Sequence, residues 1–223
     1  MIRVLFLLTI VISNLQAQTS KAVNKKFLAL GDSYTIGESV EEKDRWPEQL
    51  AKTLKEDGKN IGRPRIIGVT GWRTDQLKKA IEEAHLKNEY GLVSLLIGVN
   101  NQYQKKSVES YALEFEELLQ RAITLAEGKK ENVFVVSIPD YGFTPFGQSR
   151  QTEISNAIDQ FNDTNRSITE RLGVRYVYIT DLTREGLKNP EYVASDGLHP
   201  SGKMYARWVE RIIKSMDDDS QQR

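Results

Sequence analysis

Ser33, Asp196 and His199 have the types and spacing that nucleophilic catalysis requires. Ser33 follows an apolar segment in the sequence GDS, and a serine hydroxyl is nearly unreactive at neutral pH without a base. Of the two histidines, His85 lies in a charged helical segment and is expected on the surface. His199 follows Asp196 by three residues in a glycine-containing turn. A carboxylate at this spacing can reach Nδ1 and leave Nε2 facing the serine, so we predict His199 as the base.

Acyl transfer also requires hydrogen-bond donors for the oxyanion of the tetrahedral intermediate. Ser33 lies in a sharp turn and can offer its own N–H. Gly71 has no Cβ, so its backbone can approach a ligand closely. Asn100 carries a side-chain amide just after another apolar segment. We therefore expect three donors from three loops to converge on one point.

The order of the predicted elements places these residues at one edge of a sheet. Five apolar segments are expected strands: 27–30, 65–69, 92–97, 133–138 and 174–179. They alternate with expected helices at 47–56, 75–86, 108–126, 154–172 and 204–216, with Pro47 in a first turn, Thr74 as an N-cap and Ser107 at the start of the third helix. This alternation predicts a parallel sheet with helices on both faces. Ligands bind such sheets beyond the carboxyl ends of the strands.

Composition limits the class of protein. The 223 residues predict one domain, and the equal numbers of basic and acidic residues, 31 each, argue against a nucleic-acid partner. The absence of cysteine excludes disulfides and thiolate chemistry. Residues 1–17 have one cation, a short apolar segment and Ala17, which predicts a signal peptide followed by a domain over 18–223. We expect export to the periplasm or the extracellular space without stable membrane insertion; a buried strand and an uncleaved anchor are the alternatives.

Four sequence blocks, in order and spacing, resemble the motifs of the SGNH hydrolases, also called GDSL esterases and lipases. They are Gly31-Asp32-Ser33, Gly71, Gly98-x-Asn100 and Asp196-x-x-His199. The resemblance implies a three-layer α/β/α sandwich of flavodoxin-like type with a five-stranded parallel sheet. It also implies Ser33, Asp196 and His199 as the triad, Ser33, Gly71 and Asn100 as the oxyanion hole, and no metal or organic cofactor. Two positions depart from the family pattern: Asn101 stands where the family usually has Asp, and Tyr34 where the namesake motif has Leu.

Several side chains in the strand-end loops are candidate substrate contacts, the alternative being that the aromatic ones cap the core. They are Tyr34, Trp72, Asn101, Tyr103, Tyr141, Phe143 and Phe146. An aromatic-walled cleft suits a sugar ring or a short acyl chain. We expect an esterase acting on a short acyl ester, such as an acetyl ester of a carbohydrate or a similar small alcohol. A lysophospholipase, a thioesterase, an acyltransferase and a non-catalytic glycan-binding protein are the alternatives; the oligomeric state stays open.

Overall fold

A five-stranded parallel sheet forms the centre of residues 24–221, the part of the chain that the computed structural model describes. The expected signal peptide, residues 1–17, lies outside these residues. The strands are β1 Lys25–Gly31, β2 Ile61–Gly68, β3 Tyr90–Leu96, β4 Val133–Val136 and β5 Arg175–Val177. Their order is β2-β1-β3-β4-β5, so the direction of winding reverses between β1 and β3. A crevice at such a switch point is where open α/β sheets bind ligands.

Helices cover both faces of the sheet, as predicted for a three-layer sandwich. They are α1 Ser33–Ile36, α2 Trp46–Glu56, α3 Thr74–Glu83, α4 Val99–Tyr103, α5 Val108–Leu125, α6 Gln151–Arg171, α7 Thr180–Thr183 and α8 Gly202–Gln221. Short 3₁₀ turns lie at Glu42–Asp44, Lys130–Asn132, Tyr141–Phe143, Gln148–Arg150 and Pro190–Tyr192. Helix α2 packs against α8, and α3 and α6 both pack against α5. Within residues 24–221, every helix is too short or too polar to cross a membrane.

The central strands are buried on both faces, which explains why they read as unbroken apolar sequence. Residues 27–30 of β1 and all of β4 are at most 1% exposed. Strand β2 differs, because it lies at the sheet edge and its burial is interrupted. We expected it to begin at Arg65, but it begins at Ile61 and includes Pro64, which pairs with Phe27. Proline has no backbone N–H to donate. An edge strand tolerates it because the strand has a neighbour on one side only, so the missing N–H on the other side breaks no hydrogen bond of the sheet.

The ends of other elements also differ from the sequence prediction. Strand β5 ends at Val177, two residues before the predicted end, because the N–H groups of Ile179 and Thr180 donate to Ser137 Oγ at 2.8 and 3.1 Å. Ser107, the expected start of the third helix, is the N-cap of α5, which begins at Val108. Thr74 is not an N-cap but the first residue of α3.

Three short helices, α1, α4 and α7, were not predicted. A helix of four or five residues has too few turns for an apolar periodicity to be visible. Helix α1 follows β1 directly, and α4 follows β3. These two helices therefore lie at the switch point of the sheet, and they carry Ser33 and Asn100.

Candidate active site

Ser33 is the first residue of α1, where β1 turns abruptly into helix. A Cβ on Gly31 would lie 2.4 Å from the carbonyl oxygen of Leu96, so this crossing requires glycine. Asp32 caps the helix, and its carboxylate accepts the N–H of Tyr34 at 3.1 Å. The helix ends at Gly37, whose φ of 67° is in the left-handed region that favours glycine. This tight turn holds the Ser33 hydroxyl at the carboxyl edge of the sheet.

The structure brings Ser33, His199 and Asp196 into one hydrogen-bonded chain. His199 Nε2 lies 3.0 Å from Ser33 Oγ, and His199 Nδ1 lies 2.6 Å from Asp196 Oδ2. The loop that carries Asp196 and His199 is closed by an antiparallel β-bridge between Val193 and Pro200. It turns at Gly197, whose φ is 71°. This is the geometry that a general base needs to take a proton from a serine hydroxyl.

The surroundings of Asp196 favour its ionised form. Burial raises the pKa of this carboxyl, but hydrogen bonds from His199, Ser39 and the backbone N–H groups of Leu198 and His199 outweigh burial and lower the pKa to about 2. Ser39 Oγ donates to Asp196 Oδ2 at 2.7 Å. Sequence reasoning did not find Ser39, because no spacing signal relates it to a carboxylate 157 residues away. An ionised Asp196 holds the Nδ1–H tautomer of His199 and leaves Nε2 free to act as base.

The three expected oxyanion donors lie in the connections that follow β1, β2 and β3. Within residues 24–221, no acceptor takes the N–H of Ser33 or of Gly71. Gly71 has a φ of 83°, and its carbonyl accepts from Gln104 at 3.4 Å. The Asn100 amide donates to the carbonyl of Trp72 at 3.0 Å and approaches Asp32 Oδ2 at 3.5 Å. These contacts link the Asn100 side chain to both neighbouring loops.

Asp32 is a fully buried carboxyl next to the nucleophile. Burial raises its pKa from the usual 3.8 to about 7, although hydrogen bonds from the Tyr34 N–H and from Asn100 oppose the shift. Its two oxygens contact different elements, since Oδ1 accepts from α1 and Oδ2 faces α4. Asp32 therefore connects the turn that carries Ser33 to the side chain of Asn100.

A cavity of about 180 Å³ opens beside Ser33 and His199. One wall consists of three aromatic rings, with Tyr103 lying 6.2 Å from Tyr141 and 6.3 Å from Phe146 between ring centroids. Tyr141 is buried, whereas Tyr103 and Phe146 are 50% and 49% exposed. The full lining is Ser33, Tyr34, Val99, Asn100, Tyr103, Tyr141, Phe146, Leu198 and His199. The cavity is therefore apolar on one side and polar at the reacting hydroxyl.

Three of the expected substrate contacts lie elsewhere. Asn101 is only 1% exposed, and its amide is bound to Thr74, donating to the hydroxyl at 2.6 Å and accepting the N–H at 3.1 Å. It joins α4 to α3 instead of facing a ligand. Trp72 and Phe143 are partly buried and do not line the cavity. The direction of a loop side chain is not encoded in its spacing from a strand, so the sequence does not show which of these side chains face the cavity.

Among residues 24–221, no three side chains of the types His, Cys, Asp and Glu lie close enough together to hold a metal ion.

The fold and the arrangement of Ser33, His199 and Asp196 are those of a serine hydrolase with a flavodoxin-like sheet. A family model described as the GDSL-like lipase/acylhydrolase family matches residues 29–207, and the chain belongs to that family. The protein is thus an ester-bond hydrolase. A search of curated proteins gives no match.

Solved structures share this fold at low sequence identity. Axe2, an acetylxylan esterase from Geobacillus stearothermophilus, is 19% identical with a TM-score of 0.67, covering 86% of this chain and 94% of its own. A lipase/acylhydrolase from Enterococcus faecalis is 17% identical with a TM-score of 0.67, and the match covers 87% of this chain and 96% of the lipase/acylhydrolase. The esterase EstA from Pseudoalteromonas sp. is 14% identical with a TM-score of 0.63, and the match covers 88% of this chain and 99% of EstA. At these identities the similarity concerns the fold alone.

Proposed function

We propose that this protein hydrolyses short-chain carboxylic esters, with acetyl esters of carbohydrates as the substrate class, through an acyl-enzyme on Ser33. The observation that carries the proposal is the hydrogen-bonded chain Ser33–His199–Asp196, with distances of 3.0 and 2.6 Å. The proposal includes export, which is based on the sequence of residues 1–17.

In the proposed reaction, His199 Nε2 takes the proton of Ser33 as the oxygen attacks the ester carbonyl. Asp196 stabilises the imidazolium that forms, and His199 then gives the proton to the leaving alcohol. Water enters, loses a proton to His199 and attacks the acyl carbonyl. As the bond to Ser33 Oγ breaks and the acid leaves, His199 returns this proton to Ser33 Oγ. Hydrolysis therefore needs no group beyond these side chains and the oxyanion donors.

Asn100 is proposed as the side-chain donor to the oxyanion. One amide hydrogen is held by Trp72, while the contact with Asp32 is at the long limit of a hydrogen bond. The second hydrogen is thus available to a substrate oxygen. Asn100→Ala is expected to lower kcat by about 10²- to 10³-fold with little change in KM, because the donor acts mainly on the developing charge. Steady-state kinetics with p-nitrophenyl acetate measures the split; a fall in kcat below twofold would contradict the assignment.

The size and lining of the cavity support a small acyl group and a ring-shaped alcohol. A volume of about 180 Å³ is below the ~300 Å³ at which pockets for larger ligands begin. The half-exposed rings of Tyr103 and Phe146 offer apolar faces to a sugar ring. The acetylxylan esterase among the solved structures has the same fold, which is compatible with this choice.

A panel of esters tests the substrate class. We expect kcat/KM to fall steadily from acetyl to longer acyl chains on p-nitrophenol, and acetylated xylo-oligosaccharides to be deacetylated. Preference for long chains or for thioesters would contradict the proposal. Product analysis with an added polyol would detect acyl transfer in place of hydrolysis.

Removing the aromatic wall is expected to separate sugar binding from chemistry. The double change Tyr103→Ala and Phe146→Ala should raise KM for an acetylated oligosaccharide about tenfold, since stacking contacts contribute ~0.5–1.5 kcal/mol each. The kcat for p-nitrophenyl acetate should change little. Leu113→Ala is the matched control, because Leu113 is an exposed apolar residue on α5, 71% exposed. An equal rise in KM for both substrates would count against a sugar-binding wall.

A further inference from the structure

Asp196 has a second side-chain donor that the reaction described above does not use. Oδ2 accepts from Ser39 Oγ at 2.7 Å, and the same oxygen accepts from His199 Nδ1 at 2.6 Å. Oδ1 accepts the N–H groups of Leu198 and His199 at 2.9 and 3.0 Å. The backbone donors belong to the loop of Asp196 itself, whereas Ser39 belongs to the segment that follows α1. Among the contacts of residues 24–221, the Ser39 hydrogen bond is therefore the one that ties this carboxylate directly to the segment of the nucleophile.

The backbone of Ser39 is in a conformation that favours glycine. Its φ is 63°, in the left-handed region that residues with a Cβ rarely adopt. A glycine would reach this conformation more easily, and Gly37 two residues earlier does so. The left-handed backbone at Ser39 carries some strain, and the hydroxyl contact with Asp196 gives the side chain a role at this position.

The segment that carries Ser39 is anchored through its neighbour Glu38 to two other parts of the chain. The N–H of Glu38 donates to the carbonyl oxygen of Ser33 at 3.0 Å. The carboxylate of Glu38 accepts the hydroxyl of Thr70, the residue before Gly71. The exposed Ser39 side chain thus extends from a fixed backbone, which reduces the entropy lost in holding its hydrogen bond.

We propose that Ser39 is a positioning residue that holds the Asp196 carboxylate in the orientation in which it binds His199. This inference rests on the proposed triad. Without the hydroxyl, the carboxylate keeps only donors from its own loop and can rotate away from Nδ1. The imidazolium formed during the reaction is then less well stabilised, so the effect falls on kcat.

Two substitutions separate the hydroxyl from the backbone. Ser39→Ala and Ser39→Gly both remove the donor, but glycine relaxes the left-handed backbone and alanine does not. Both are expected to lower kcat for p-nitrophenyl acetate about tenfold with KM unchanged, the size expected for one hydrogen bond to a charged group. Ser39→Gly should unfold at the same or a higher temperature than the wild type. The downfield proton NMR signal of the His199–Asp196 hydrogen bond should shift or broaden in both variants.

His85→Gly is the matched control for the backbone. His85 is exposed and also has a left-handed backbone, with a φ of 45°, but it lies between the end of α3 and the start of β3, at the sheet edge opposite the carboxyl ends of the strands. We expect this variant to keep the kcat and the downfield signal of the wild type. Wild-type kcat and an unshifted signal in Ser39→Gly would overturn the inference while leaving the triad in place. Full activity of Ser33→Ala would overturn the triad and the inference together.

Discussion

Ser33→Ala is expected to lower kcat for ester hydrolysis by about 10⁴- to 10⁶-fold, because it removes the atom that attacks the carbonyl and forms the acyl-enzyme. Substrate binding is retained, so KM should change much less. Steady-state kinetics with p-nitrophenyl acetate measures both constants. An alkyl fluorophosphonate provides a second measurement, since it should add one phosphonyl group to the peptide containing Ser33 in the wild type and none in the variant.

Ser94→Ala is the control for this experiment. Ser94 is buried in β3, and its hydroxyl has no hydrogen-bond partner within the described residues. Its replacement is therefore expected to leave kcat and phosphonylation unchanged. If the Ser33 variant still turned over substrate within tenfold of the wild-type rate, or if the label were found on another residue, the assignment of the nucleophile would be wrong.

The parallel sheet was predictable because its central strands obey a simple rule. A strand covered by helices on both faces is mainly apolar, and this holds for residues 27–30 of β1, for β4 and, apart from Ser94, for residues 92–96 of β3. The edge strand β2 obeys the rule poorly, and its first residues were missed. Short helices were missed for a related reason: α1 and α4 contain four and five residues, and their conformation is set by the strands they follow.

The candidate triad was predictable because the choices were few. One of only two histidines follows an aspartate at the spacing that allows a hydrogen bond to its ring, and the serine follows a strand at the same edge of the sheet. Ser39 and the burial of Asn101 were not predictable, because both depend on how separate loops pack. Contacts such as Ser39–Asp196 form only after the whole sheet has assembled.

The segment from Gly31 to Ser39 contributes to the site at several points. It provides the Ser33 hydroxyl and N–H, it places the Asp32 carboxylate beside the Asn100 amide, and it returns with Ser39 to Asp196. Local conformational rules explain each part of this segment separately. Gly31 is needed where β1 passes close to the backbone of Leu96, Asp32 caps α1, and Gly37 ends the helix in a left-handed conformation. Together these rules fix the nucleophile relative to its partners, since a turn of so few residues has little freedom to move.

Asp32→Asn is expected to change how stability depends on pH. Burial raises the pKa of Asp32 from 3.8 to about 7, so the folded protein keeps a proton that the unfolded chain loses above pH 4. Wild-type stability therefore contains a favourable contribution below pH 4 that is lost as the pH rises through 7. A shift of roughly three pKa units corresponds to about 4 kcal/mol. The variant lacks this contribution, so the difference between its free energy of unfolding and that of the wild type should increase by about 4 kcal/mol between pH 4 and pH 8, in the direction of a relatively more stable variant.

Urea unfolding at pH 4, 6 and 8, followed by the fluorescence of the buried Trp46 and Trp208, measures this difference. The asparagine can still accept the N–H of Tyr34, but its amide hydrogens face the amide of Asn100. The free-energy cost of this unfavourable contact between two amide groups is the same at every pH. It therefore shifts the variant's curve of stability against pH by a constant amount and does not change its slope relative to the wild type. Asp57→Asn, at an exposed carboxyl after α2, is expected to follow the wild-type slope. Parallel curves for Asp32→Asn and the wild type would show that Asp32 is already ionised in the folded protein below pH 5, with the Asn100 amide and the Tyr34 N–H sufficient to hold its charge.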